Sequence, residues 1–313
     1  MSSLLVIGGT GFFGASIIDS FSRGLLSKWG VDELHIASRG LYEMPTQLDL
    51  SGVMYHRLDI VSCERIPTVD YIIHAAAPTD EGAYLAQASG GVEIIREGAE
   101  NFSRLLKKLS PGVKTLYVSS GAVYGVININ QGCTEASPFN LSAKDYPVNK
   151  KNYALAKLFS ENLFIDLANR GFDVSIARCF SFIGNHLPKN KHFALGNFID
   201  GIARHRKITV NSNMHVYRSY MHSDDLVCWL MEILVNASVE CPIYNVGSPE
   251  AYELHSLAER LAAYYQCELD APKFLEQDID FYVPSVLKAK NELGLDIKID
   301  LFKAIDMVLK NYE

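Results

Sequence analysis

The chain lacks paired cysteines, long apolar runs and any excess of positive charge. Its six cysteines, Cys63, Cys133, Cys179, Cys228, Cys241 and Cys267, are scattered, and no C-x-x-C unit occurs. Neither a zinc site nor a redox dithiol is expected; free thiols in a reducing cytoplasm are. No stretch is long and apolar enough to span a bilayer, so no membrane partner is expected. No cationic segment precedes the first apolar run, 4–7, which passes straight into glycines and reads as a buried strand rather than a signal peptide. Lys and Arg number 29 against 36 Asp and Glu, a formal charge of −7. A binder of nucleic-acid backbone needs a basic face, so nucleic acid is not an expected partner. A small anionic ligand needs only a few placed cations and stays open. Internal repeats and low-complexity tracts are missing as well.

What is present is a globular composition, 48% apolar and 21% charged over 313 residues. That length exceeds one small core and implies one large domain or two lobes. The first half alternates short apolar runs (4–7, 34–37, 53–57, 71–74, 115–119 and 174–177) with amphipathic stretches (11–22, 92–109 and 149–170). Strand and helix in alternation predict an α/β fold, a doubly wound parallel sheet covered on both faces. Several of the runs are continuously apolar, as doubly buried strands should be. After Arg178 the rhythm changes. A loop at 181–190 precedes helices at 193–204, 223–235, 254–265 and 301–310, with strands at 208–210 and 243–246.

Gly8, Gly9, Thr10, Gly11, Phe12, Phe13 and Gly14 follow the first strand and open the first helix. Glycines at Gly8, Gly11 and Gly14 permit a tight turn and close approach of a ligand to backbone, while the helix N-terminus offers free N–H groups to a pyrophosphate. Gly8, Gly11, Phe12, Phe13 and Gly14 are therefore candidate cofactor-binding residues, and the fold is expected to be of Rossmann type. The acidic residue that would hold a ribose 2′-hydroxyl after the second strand is missing; Ser38 and Arg39 stand there. A guanidinium with a neighbouring hydroxyl suits a 2′-phosphate, so NADP(H) is expected over NAD(H).

Tyr153 and Lys157 are four apart on a predicted helix and share a face. An ammonium near a phenol favours the phenolate, so Lys157 is expected to lower the Tyr153 pKa and make Tyr153 a proton shuttle, with Lys157 also reaching the cofactor ribose. Ser120, at the carboxyl end of the fifth strand, is placed to hold the reacting oxygen. Asp224 is expected to cap the helix beginning near Asp225.

Together these residues resemble the extended short-chain dehydrogenase/reductase family, in its nucleotide-sugar epimerase, dehydratase and reductase branch. The resemblance covers nearly the whole chain. It also rests on Asp59 after the third strand, on His74 with Ala75, Ala76 and Ala77, and on Val123, Tyr124 and Gly125. Downstream it takes in the segment from Arg178 to Gly184, Arg218 with Asp224 and Asp225, Tyr244 to Gly247, and Leu293 with Gly294. It implies that Asp59 contacts the adenine, that Ala75, Ala76 and Ala77 let the chain pass close to the cofactor diphosphate, and that Arg218 binds the diphosphate of a nucleotide-sugar substrate. Asn197 falls where the family places a substrate-contacting Asn. Residues 1–178 with about 217–247 are then the NADP-binding Rossmann domain. Residues 179–216 and 248–313 form a smaller, mostly helical substrate lobe.

The departures carry information. The family's 4,6-dehydratases have an acidic pair just after the catalytic Ser or Thr; here those positions are Gly121 and Ala122, so dehydration is not expected. Ser181 stands where many members have Asn. A 4-epimerase returns its hydride to a retained NAD, whereas a 4-ketoreductase consumes a reduced cofactor, usually NADPH. Ser38 and Arg39 point to the reductase. The leading expectation is NADPH-dependent reduction of a nucleoside-diphosphate 4-keto-6-deoxy-hexose, with Ser120, Tyr153 and Lys157 as catalytic residues. The alternatives are an NAD-dependent nucleotide-hexose 4-epimerase and a non-catalytic NADP-binding regulatory protein. Spare apolar residues on the helices at 92–109 and 149–170 imply a homodimer.

Overall fold

In a computed structural model the described residues are 2–40, 50–77, 90–109, 112–127, 132–142, 146–187, 193–273 and 279–312. The last residues of the expected 181–190 loop, 188–190, lie outside them. β1 (Ser2–Ile7) leads through the glycine turn into α1 (Phe12–Ser22), followed by β2 (Val31–Ser38), β3 (Val53–Arg57) and β4 (Tyr71–His74). Next come α2 (Gly90–Leu106), β5 (Lys114–Ser120), α3 (Val148–Asn169) and β6 (Val174–Cys179). Short elements follow: β7 (Phe182–Ile183), α4 (Ala194–Asp200), β8 (Lys207–Thr209), β9 (His215–Arg218) and β10 (Met221–His222). They lead to α5 (Ser223–Val235) and β11 (Ile243–Val246). The chain continues through β12 (Tyr252–Glu253), α6 (Leu254–Tyr265), β13 (Glu268–Asp270), β14 (Ile279–Tyr282), α7 (Leu287–Leu293) and α8 (Leu301–Lys310).

Seven strands form one sheet in the order β11-β6-β5-β4-β1-β2-β3, every pair parallel. These are the strands the apolar runs predict. Leu4, Leu5, Val6 and Ile7 are buried, as a central strand covered on both faces requires. One face packs on α1 and α5 through Ile17, Ile18, Leu226 and Trp229. The other packs on α2 and α3 through Phe102 and Phe164. A separate apolar cluster joins α4, α6 and α8 through Phe198, Leu257, Leu261 and Ile305. The strand order reverses between β1 and β4, and ligands of such sheets bind outside the carboxyl ends at that crevice.

Two local expectations are corrected. The helix at 193–204 is not one α-helix: α4 ends at Asp200, and Gly201–His205 forms a π turn. A side chain at residue 201 would come within 2.2 Å of the Lys207 carbonyl oxygen, so the glycine lets β8 return against the helix. Asp224 does not cap α5. The His222 Nδ1 accepts from the Asp224 N–H at 3.1 Å and is the cap. The Asp224 carboxylate instead takes both terminal nitrogens of Arg23, at 3.0 and 2.6 Å.

His74 ends β4 inside a box of Phe102, Tyr117 and Phe164, with ring centroids at 4.9, 5.7 and 5.8 Å. Burial first, and then the charge of Lys157, lower its pKa from 6.5 to about 3. The unfolded chain therefore binds a proton that the native state refuses. Stability is intact above the unfolded value and falls with pH below 6.5, by about 1.4 kcal/mol per unit until about 3. Urea midpoints measured between pH 7.5 and 5.5 should drop in the wild type and drop less in His74→Phe. Equal slopes contradict this reading.

Candidate active site

The glycine turn and the start of the β4 connection meet at the crevice. The N–H of Ala75 donates to the Ile7 carbonyl at 2.9 Å, so the two segments run together past the sheet edge. Gly8 has φ +94, and a side chain there would lie 2.8 Å from the Ala75 carbonyl and from the Ala76 Cα. At Gly14 a Cβ would meet the Gly9 backbone at 2.3 Å. Gly11 caps α1 with no side-chain hydrogen bond, which leaves the first amides of the helix to a ligand. This cradle fits a dinucleotide diphosphate: space kept clear by missing side chains, and a helix N-terminus behind it. Ala75, Ala76 and Ala77 are half-buried along its rim. Phe12 and Phe13 pack their rings on Phe182, with centroids at 6.1 and 5.6 Å, so their side chains are committed to packing.

At the end of β2, Ser38 is buried and Arg39 is exposed. The Asp59 Oδ1 accepts from the Val61 N–H at 3.1 Å, and its carbonyl accepts from Ser62 and Cys63. Asp59 thus builds the turn after β3.

Ser120 lies at the carboxyl end of β5, its Oγ accepting from the Ala122 N–H at 3.2 Å. The same hydroxyl hydrogen-bonds the phenol of Tyr153 on α3. Lys157, one turn on, is buried; its Nζ donates to the Val118 carbonyl at 2.9 Å and stands over the rings of Tyr117 and Tyr153 at 5.1 and 5.9 Å. The structure therefore brings Ser120, Tyr153 and Lys157 together. It reverses one expectation about them. Burial pushes the Tyr153 phenol up to about 12, opposed by the hydrogen bond from Ser120. Burial also lowers Lys157 to about 8, against the pull of Cys179 and Glu161. With desolvation dominant, Tyr153 stands as a protonated phenol at neutral pH, a donor rather than a phenolate.

Several residues at the site were not singled out by the sequence. Tyr282, on β14, places its Oη 3.5 Å from the Ser120 Oγ and packs tilted against Phe180, with ring centroids 4.7 Å apart. The Phe180 ring in turn closes on Gly121, where a Cβ would sit 2.6 Å from it. Glu161 continues the face of Tyr153 and Lys157 by one further turn, a spacing that was readable. Its carboxylate accepts from the Arg178 Nε and Nη2 at 3.0 and 2.8 Å and from the Ser119 Oγ at 2.5 Å.

Arg218 and Asn197 come out differently from the catalytic set. Asn197 is exposed on α4, its N–H donating to the Phe193 carbonyl. Arg218 is half-buried, and its Nη2 donates to the Asp280 Oδ2 at 2.7 Å. Its Nη1 reaches the Tyr217 carbonyl and the Asp280 carbonyl and Oδ1 at 2.8, 3.1 and 3.3 Å. Lys150 stands 3.8 Å from the same carboxylate. Burial works to raise the Asp280 pKa, but the charge and hydrogen bonds of Arg218 outweigh it and hold it below the usual carboxylate value. An anion reaching Arg218 meets the Asp280 carboxylate already seated on the guanidinium. Asp280→Asn should therefore tighten binding of nucleoside diphosphates by about tenfold, since it removes like charge at close range. Calorimetric titration of the purified protein with UDP and GDP checks it; unchanged or weaker binding of both contradicts it.

Comparison with known proteins places this architecture. Residues 4–247 match the model of the NAD dependent epimerase/dehydratase family. UDP-glucuronic acid decarboxylase 6 of Arabidopsis thaliana is 24% identical over 319 residues, covering 99% of this chain and 88% of that protein. GDP-6-deoxy-D-mannose reductase of Pseudomonas aeruginosa is 27% identical over 227 residues, covering 69% and 71%. Among solved structures, the dTDP-glucose 4,6-dehydratase DesIV of Streptomyces venezuelae, with NAD and TYD bound, superposes with a TM-score of 0.82. It is 20% identical and covers 99% of this chain and 96% of that one, a likeness of fold.

Proposed function

The chain belongs to the NAD-dependent epimerase/dehydratase family, and on that basis we propose that it reduces the C4 keto group of a nucleoside-diphosphate 4-keto-6-deoxy-hexose with NADPH. The observation that carries the reading is the hydrogen-bonded pair of Tyr153 and Ser120 beside Gly121, a position without a side chain against which the Phe180 ring packs. Carbonyl reduction needs a proton donor at the carbonyl oxygen. Elimination needs further acid and base groups, and Gly121 and Ala122 supply none. The likeness to a sugar-nucleotide reductase supports the same substrate class.

In this reading the glycine turn, Ala75, Ala76 and Ala77 hold the cofactor diphosphate, and Arg39 faces the 2′-phosphate. A bound nicotinamide would supply the hydride for C4. Ser120 donates a hydrogen bond to the C4 oxygen and fixes its place, and Tyr153 gives that oxygen its proton. Lys157, with one N–H engaged by Val118, has two more to offer a cofactor ribose. Its charge also lies beside the phenol that must release the proton. Residues 179–216 and 248–313 would form the substrate lobe, with Arg218 and Asn197 toward the nucleotide sugar. A cytoplasmic homodimer through α2 and α3 belongs to the proposal; Val148 and Leu155 on α3 are exposed apolar side chains.

The alternative, a nucleotide-hexose 4-epimerase, differs in cofactor handling. The purified protein should carry no retained NAD and should bind NADPH in preference to NADH in a fluorescence titration. Tightly retained NAD without NADPH preference would move the assignment to the epimerase.

A further inference from the structure

The sequence offers Ser38 and Arg39 as the 2′-phosphate ligands; the geometry of the β2–β3 edge redistributes that role. The Ser38 Oγ donates to the Gly40 carbonyl at 2.9 Å, and the Tyr55 hydroxyl of β3 closes a triangle with both. Two hydroxyl hydrogens serve this triangle. Both hydroxyls can donate to the Gly40 carbonyl, or one can donate to the other, which then donates to Gly40. In every arrangement the Ser38 hydrogen is engaged inside the protein, and a phosphate dianion accepts but cannot donate. Ser38 therefore shapes the turn that carries Arg39.

A second cation stands beside that turn. In the parallel register Ser38 is paired with Arg57, the last residue of β3. The Leu58 N–H binds the Ser38 carbonyl at 2.8 Å, so the end of β3 is fixed against the end of β2. Paired residues of a parallel ladder project to the same face, which puts Arg57 on the side of Ser38 and Tyr55. Arg39 and Arg57 are both exposed, and neither is ion-paired with a carboxylate among the described residues. The nearby Asp59 directs its Oδ1 to the Val61 N–H. Glu64 and Arg65 border the same groove as Arg57 with opposite charges.

We propose that Arg57 is a second 2′-phosphate ligand, which with Arg39 forms a two-guanidinium clamp, while Tyr55 holds the intervening turn. The proposal rests on the NADP reading. It goes beyond it by placing half of the selectivity on the edge strand. A dianion between two guanidiniums gains charge-assisted hydrogen bonds from both.

The test is direct binding to the cofactor-free protein, read by calorimetry, with adenosine 2′,5′-bisphosphate and with 5′-AMP. Wild type should prefer the bisphosphate. Arg57→Ala and Arg57→Gln should each weaken bisphosphate binding by about tenfold or more and leave 5′-AMP unchanged, with Arg57→Lys between. If Arg39→Ala loses the preference and the Arg57 variants keep it, the clamp is wrong and the NADP reading stands. If the Arg57 variants weaken both ligands equally, Arg57 serves the fold and the clamp is again wrong. If wild type shows no preference for the bisphosphate, the NADP reading itself fails.

Discussion

Tyr153→Phe should lower turnover of the keto-sugar by about 10²- to 10⁴-fold, the usual contribution of a positioned proton donor. NADPH binding should stay within about twofold, because only one hydroxyl is lost and no charge changes. The substitution keeps the ring under Lys157 and the packing of α3. Ser120 loses one partner but retains the Ala122 N–H and the Tyr282 hydroxyl, at 3.2 and 3.5 Å. Because Tyr282 reaches the same serine, Tyr282→Phe is the informative control. Burial raises its phenol pKa as well, so it too is protonated, but the Lys157 ammonium stands over the Tyr153 ring. A Tyr153→Phe enzyme with full kcat would remove the proton donor from the account, whatever Tyr282 does.

The second large effect is on stability. Glu161→Gln should cost about 3–5 kcal/mol, the usual penalty for stranding one member of a buried ion pair. Arg178 and Glu161 expose only 4% and 3% of their side chains. Glutamine keeps the shape of Glu161 but leaves the guanidinium without a counter-charge. The consequences reach further than the pair. The Arg178 Nη1 donates to the Tyr124 Oη at 3.0 Å, and Tyr124 donates to the Asn245 Oδ1 at 2.7 Å. Asn245 in turn donates to the carbonyls of Cys133 and Ser285 at 2.8 and 3.1 Å. This chain of bonds joins α3, β5, β6 and β11 to the loop that follows Tyr282. A fall in Tm on the order of 10 °C is expected by differential scanning fluorimetry. A Tm within about 2 °C of wild type would show that the buried pair is not the support described.

The central strands were readable because they are doubly buried and therefore continuously apolar, so each run marked its own position, whereas β3, at the edge, is only partly buried. Gly8 and Gly14 were readable for a similar reason, since each marks a place where a Cβ collides with backbone. The catalytic set was readable as a spacing, Tyr153 to Lys157, but not as an electrostatic state. Four residues apart on a helix fixes proximity; it does not reveal that burial outweighs the Ser120 hydrogen bond and raises the phenol pKa. Long-range pairings left no local trace. Tyr282 reaches Ser120 across 162 positions of sequence, from a four-residue strand too short to show a period. Asp280 meets Arg218 only because β9 and β14 pair in parallel. The hydroxyl triangle at Ser38 depends in the same way on the β2–β3 register, which composition does not specify.

The central claim is a net reduction at C4. The most direct measurement offers the purified protein NADPH with 4-keto-6-deoxy-hexoses carried on uridine, thymidine, guanosine and cytidine diphosphates. NADPH oxidation is followed at 340 nm while the sugar product is identified. The account predicts one NADPH consumed for each 4-hydroxy product formed, with little activity from NADH. Interconversion of two nucleotide-hexose isomers without net cofactor consumption would contradict it.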